Sequence, residues 1–157
     1  MFIMSKFTVK AANADAEAVI EEFLDALEAM SVERFLNVWH NDGVQIMPFS
    51  PDGFPTRLKS KEAIRRQYDC LPTYYKSIHF SDRVFYFTND PSRVWVEFCG
   101  EIQIKTTGNS YKINFVSLFT LCDARIIEYK EYASPLTLLT PFLSSEALRK
   151  NLSQPPK

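Results

Sequence analysis

A chain of 157 residues, 46% hydrophobic and 24% charged, can bury a single core without disulfide or metal staples. Its formal net charge of −1 excludes a general electrostatic attraction for nucleic acid or for an anionic membrane surface. Cys70, Cys99 and Cys122 stand far apart with no C-x-x-C pair, which excludes a redox or zinc motif of that kind and points to reduced thiols in a cytoplasmic protein.

The opening MFIMSKFTVK has too short an apolar run for a signal peptide, and its charge follows that run. Residues 1–11 read as an arm ahead of one domain over 12–143. Asn13 or Asp15 can start a first helix, which runs to about Ala29 on a stripe of Val19, Ile20, Phe23, Leu24 and Leu27. Ser31 is a fair N-cap for a short second helix that buries Val32, Phe35, Leu36 and Trp39, and HNDGV ends it. Val44 to Phe49 reads as a strand, Ser50-Pro51-Asp52-Gly53 as a turn, and Phe54 to Leu58 as a small returning strand. Ser60 caps a third helix from Lys61 to Tyr74 or Tyr75, weakened by Pro72. His79 to Phe87 opens a sheet, and Arg93 to Tyr132 continues it as three β-rich runs joined by the turns TTGNS and CDAR. Residues 144–157 read as a tail, in which Ser144 to Leu152 can form a short amphipathic helix.

Helices gathered ahead of an antiparallel meander imply an α+β fold. A bent sheet that wraps the helices would leave a space between the layers, and that space is the candidate site for a small hydrophobic molecule. Glu131 stands between Tyr129 and Tyr132 on an interior strand. Buried against aromatic rings, its pKa would rise and it could act as acid or base near neutral pH. On the surface it would instead pair with Lys130 or Arg125. His79, at a strand start, and Asp42, after the second helix, are the other catalytic candidates. Each has a plain structural alternative, a strand start and a turn bond. Tyr68 on the third helix, Tyr111, Asn114 and Ser117 on the central strand, and Tyr129 on the last are the candidate ligand-binding groups. Two distant histidines give no metal-ligand spacing, and four glycines leave no room for a phosphate loop.

Three stretches carry a family resemblance: FLNVWHNDGV, RLKSKEAIRRQY, and RVWVEFCGE followed by YKINFVSLFTLCDARIIEYKEYASP. They resemble the nuclear transport factor 2-like superfamily in its SnoaL-like or ketosteroid-isomerase-like branch, and within it the phenazine-biosynthesis A/B-type proteins. The resemblance implies a cystatin-like, cone-shaped α+β barrel, its curved antiparallel sheet wrapped around the N-terminal helices. It also implies a hydrophobic cavity, association as a homodimer through the sheet, and no cofactor. The implied activity is that of an isomerase, cyclase or condensation enzyme on a small hydrophobic carbonyl compound. The alternative is a non-catalytic binding or structural dimer. In the phenazine-type proteins a glutamate near the end of the last strand acts as an acid, and that motif position falls on Glu131. Their histidine and arginine have no clear counterpart here.

Overall fold

The computed structural model describes residues 6–139. Helix α1 (Lys6–Glu28) is followed by α2 (Val32–Asn37), β1 (Trp39–Ile46), β2 (Arg57–Lys59), α3 (Lys61–Tyr68) and α4 (Leu71–Tyr74). Four long strands complete the fold, β3 (Tyr75–Phe87), β4 (Arg93–Ile104), β5 (Ser110–Cys122) and β6 (Arg125–Ala133), before a last turn of helix, α5 (Pro135–Leu139). Helical backbone therefore begins well ahead of Asn13, inside the stretch expected to be an arm. The helix expected after Ser144 lies outside the described residues.

α1 is helical because its apolar residues recur on one face: Ala16, Ile20, Phe23, Leu24 and Leu27 are all buried. It stops at Met30, which adopts a left-handed φ of 49°. The Met30 and Ser31 amides donate back to the Leu27 and Ala26 carbonyls, closing the helix end. Ser31 then accepts from the Arg34 amide and caps α2. α2 is shorter than its sequence suggests. It ends at Asn37, and Trp39 already belongs to β1. The third expected helix divides in two where Pro72 enters the first turn of α4.

The six strands lie in the order β2-β1-β6-β5-β4-β3. Strands β3 to β6 form the expected meander, with Phe98 opposite Phe115 and Ser117 opposite Glu131. The expected cone-shaped barrel does not form. The sheet is open, with β2 and β3 as free edges, and it is mixed: β1 runs parallel to β6, with Gln45 beside Tyr129. Closure would require β2 to pair with β3. β2 has only three residues, two of them exposed, and offers too short a ladder for that. The parallel pair was invisible to local reading because β1 and β6 are joined through the whole domain.

Two irregularities position side chains. Gly43 lies within the register shift of β1, where a Cβ would stand 2.7 Å from the Trp39 ring and 2.9 Å from the His40 carbonyl. In β3, three steps from Ser81 to Val84 match two steps from Cys99 to Glu97 on β4, and Asp82 takes a left-handed φ of 53°. This bulge aims Arg83 at α1. Its guanidinium bonds to Glu21, to Asp25 at 2.8 Å and to Glu28 at 3.0 Å. Glu28 also accepts from the Phe80 amide. Arg83 is only 18% exposed at its side chain, so its loss would strand a half-buried acidic cluster. Arg83→Ala is expected to cost about 2 kcal/mol, read as a lower urea midpoint at unchanged slope.

Candidate active site

The core face of the sheet is aromatic. Phe23 of α1 lies 5.2 Å from Phe119 and 4.9 Å from Tyr129, ring to ring, and Phe35 and Trp39 close around it. At the far end of this cluster β1 and β6 part from α3 and α4, leaving a cavity of about 640 Å³. Its floor is built by Gln45, Met47 and Glu131, and one wall by Tyr68, Leu71, Tyr74 and Tyr75. The β1–β2 loop supplies the rim with Phe49, Pro51, Phe54 and Pro55. The volume suits a small organic molecule. A smaller concavity of about 420 Å³ lies at Thr88 to Arg93 and the Trp95 and Leu118 side chains. Its one carboxylate, Asp90, is already engaged by the amide and hydroxyl of Ser92.

Alternation along β6 puts Tyr129 and Glu131 on the same face. The Tyr129 hydroxyl donates to Glu131 Oε2 at 3.0 Å, and Ser117 Oγ donates to the Tyr129 hydroxyl at 3.3 Å. Burial pushes the Glu131 carboxyl above the usual range, partly offset by the Tyr129 bond. No ion pair among the described residues involves Glu131. Lys130 pairs with Glu128 and Arg125 bonds to the Asn37 carbonyl, so neither is the surface partner that Glu131 would otherwise have had.

Tyr68 accepts at its hydroxyl from Gln45 Nε2 at 2.8 Å. Burial, with the Glu131 carboxylate adding to it, raises the Tyr68 phenol far beyond its ordinary value, so it stays protonated. Burial likewise raises Tyr75 and Tyr111, whose hydroxyls interact with each other. Tyr75 lines the cavity and Tyr111 stands behind it.

Of the sequence-derived candidates, the structure brings together Glu131, Tyr129, Ser117 and Tyr68, with Tyr111 at one remove. It does not bring in Asp42, His79 or Asn114. Asp42 is 87% exposed at its side chain, and its amide donates to His40 Nδ1 in the turn. His79 is 70% exposed, 3.4 Å from Glu28 on α1. Asn114 points to the opposite face of β5 from Ser117, with Lys112 and Val116. Gln45 and the Phe49–Pro55 rim were not foreseen. Gln45 is a polar residue between Val44 and Ile46, and only its parallel pairing with β6 gives that position a meaning. Among the described residues no cluster of His, Cys, Asp or Glu could hold a metal, and no helix is long and apolar enough to cross a membrane.

Known proteins share this arrangement of chain. A curated Bacillus subtilis protein, YesE, itself uncharacterised, is 28% identical over 126 residues, which is 78% of this chain and 84% of its own. An uncharacterised PhzA/B-like protein of Pseudomonas aeruginosa is 26% identical over 136 residues, 87% of this chain and 96% of its own. Among crystal structures, a provisionally named isomerase from Bacillus subtilis superposes with a TM-score of 0.79 at 23% identity, over 83% of this chain and 94% of that one. A phenazine biosynthesis-related protein from Pseudomonas aeruginosa superposes with a TM-score of 0.71 at 18% identity, over 95% of this chain and 94% of that one. At these identities the two structures establish the fold alone. Residues 20–129, which reach from within α1 to the Tyr129 that holds Glu131, match the SnoaL-like domain, and the chain belongs to that family.

Proposed function

We propose that this protein is a cofactor-independent enzyme that moves a proton on a small, uncharged, hydrophobic carbonyl compound, with Glu131 as the acid–base group. One observation carries the reading: a carboxyl of raised pKa at the floor of a cavity where, among the described residues, it has no cationic partner and the lining includes no Lys, Arg or His. Such a lining disfavours an anionic substrate, whose charge would be buried unpaired. An apolar carbonyl compound fits the aromatic walls.

Glu131 would take a proton from the carbon next to the carbonyl and return it elsewhere. The Tyr129 bond fixes the carboxyl and leaves its other oxygen for the substrate. The Tyr68 hydroxyl, held by Gln45 and kept protonated, would donate to the carbonyl oxygen as negative charge develops there. Keto–enol isomerisation and aldol-type cyclisation begin with this step, and the names of the structural relatives include isomerase and polyketide cyclase. Asp42 and His79 have no part in the scheme.

The scheme is tested by following hydrogen–deuterium exchange at the α-carbon of a panel of aryl ketones in D₂O by NMR. Exchange by the wild type that Glu131→Gln lacks is the expected result. Ketones that bind without exchanging would make the protein a ligand-binding domain instead.

A homodimer formed through the sheet face turned away from α1 completes the proposal. Val84, Tyr86 and Val116 are exposed there, with Trp95 and Tyr132 half-buried among them, a row of apolar groups that a second copy would cover. Val116→Glu is expected to give a monomer by light scattering, and an unchanged mass would remove the dimer from the scheme. Free Cys70, Cys99 and Cys122 suit a reducing, cytoplasmic setting.

A further inference from the structure

Gln45 is 1% exposed, yet its side-chain oxygen has no hydrogen-bond partner among the described residues. An amide oxygen buried without a donor costs on the order of 1–3 kcal/mol, so such groups are rare unless something else engages them. Here the residue lines the cavity. Its Nε2 is already committed to the Tyr68 hydroxyl at 2.8 Å, which fixes the plane of the amide and leaves Oε1 as a preoriented acceptor.

The position relative to Glu131 is set by the parallel pair. Gln45 lies beside Tyr129 across the β1–β6 ladder, and Glu131 is the next residue on the same face of β6. With strands about 4.8 Å apart and two residues rising about 6.6 Å along the strand, such neighbours stand roughly 8 Å apart. One small molecule therefore reaches both, presenting its reacting carbon to Glu131 and a donor to Gln45.

We infer that Gln45 is a specificity-determining residue that selects substrates carrying a hydroxyl group on the same small framework as the reactive carbonyl. The hydroxyl donates to Gln45 Oε1 while the carbonyl lies between Tyr68 and Glu131. The inference rests on the reading of the cavity as a carbonyl site, and it narrows the substrate to a neutral hydroxy-carbonyl compound. A ligand of the same shape that lacks the donor leaves the acceptor bare, as it is in the unliganded protein, whereas the hydroxy compound supplies the missing bond.

The test uses matched pairs of aryl ketones, each hydroxy compound beside its methyl ether, with binding measured by calorimetry so that turnover is not required. The wild type is expected to bind the hydroxy member about tenfold more tightly, the worth of roughly one hydrogen bond. Gln45→Met, close in volume, should erase that preference. Tyr74→Phe, which alters the cavity wall but leaves the Gln45–Tyr68 bond intact, should keep it. Equal binding of both members by the wild type would overturn the inference and leave the acid–base role of Glu131 standing. A preference for the ethers would also overturn it, since the amide would then present its NH₂ to the cavity. Failure of every pair to bind would overturn the carbonyl reading and this inference with it. A preference that survives in Gln45→Met would place the selecting group elsewhere and overturn the inference alone.

Discussion

Replacing Glu131 with Gln is expected to lower α-proton exchange by about 10²–10⁴-fold while making the protein more stable. The two effects share one cause. Burial raises the Glu131 pKa in the folded chain above that of the unfolded chain. The folded state then holds this proton more tightly, so the stability it confers is complete below the unfolded carboxylate range. Stability falls as pH climbs from there through the folded pKa. Above the folded pKa the wild type carries the cost of a part-buried carboxylate with no cation beside it among the described residues. A glutamine keeps the shape and can still accept from Tyr129, and it has no charge to bury. Thermal unfolding followed from pH 4 to 9 should therefore show the Glu131→Gln midpoint lying above the wild type at high pH and converging with it at low pH. Parallel curves would show that the carboxyl is solvated, and the proton-transfer role would go with them. A more stable but inactive variant is the expected signature of a site that trades stability for function.

Phe23→Ala is expected to have the largest effect on folding, about 3–5 kcal/mol. For a domain of this size that lowers the thermal midpoint by about 10 °C or more. Phe23 is 1% exposed and stands among the Phe35, Trp39, Phe119 and Tyr129 rings. These come from α2, β1, β5 and β6, so the one side chain of α1 joins four elements. Its removal leaves a void that rigid rings fill poorly. The loss should reach the site as well, because Tyr129 is both its neighbour and the donor to Glu131. Calorimetric unfolding of the variant measures the first effect. A loss within experimental error of Phe23→Leu would show that the cluster closes over the void, and that the rings are not the rigid support inferred here.

The identity and order of the long elements were legible because their signals are local. The stripe from Ile20 to Leu27 marks a helix by its spacing, and the meander from Arg93 to Tyr132 marks itself by alternation and two short turns. Glu131 and its neighbours followed from the same alternation, since Ser117, Tyr129 and Glu131 are assigned to a face by counting in twos. Boundaries failed where tertiary contacts overrode a local preference. Trp39 continues a helical stripe in sequence, but it is drawn into β1, where its backbone pairs with Ile126 of β6. Asp42 and His79 were plausible by residue type. Their exposure is fixed by what packs above them, and a sequence carries no direct trace of that.

By itself the sequence determined an α+β chain with a helical pair, a late antiparallel meander, and one acid placed among aromatic residues on its last strand. Those properties depend on residues within a few positions of one another. Only the tertiary structure decided that the sheet stays open, that β1 lies parallel to β6, and that Gln45 consequently shares the cavity with Glu131. These depend on pairing between segments some eighty residues apart, where the energy comes from contacts that no local pattern of side chains encodes.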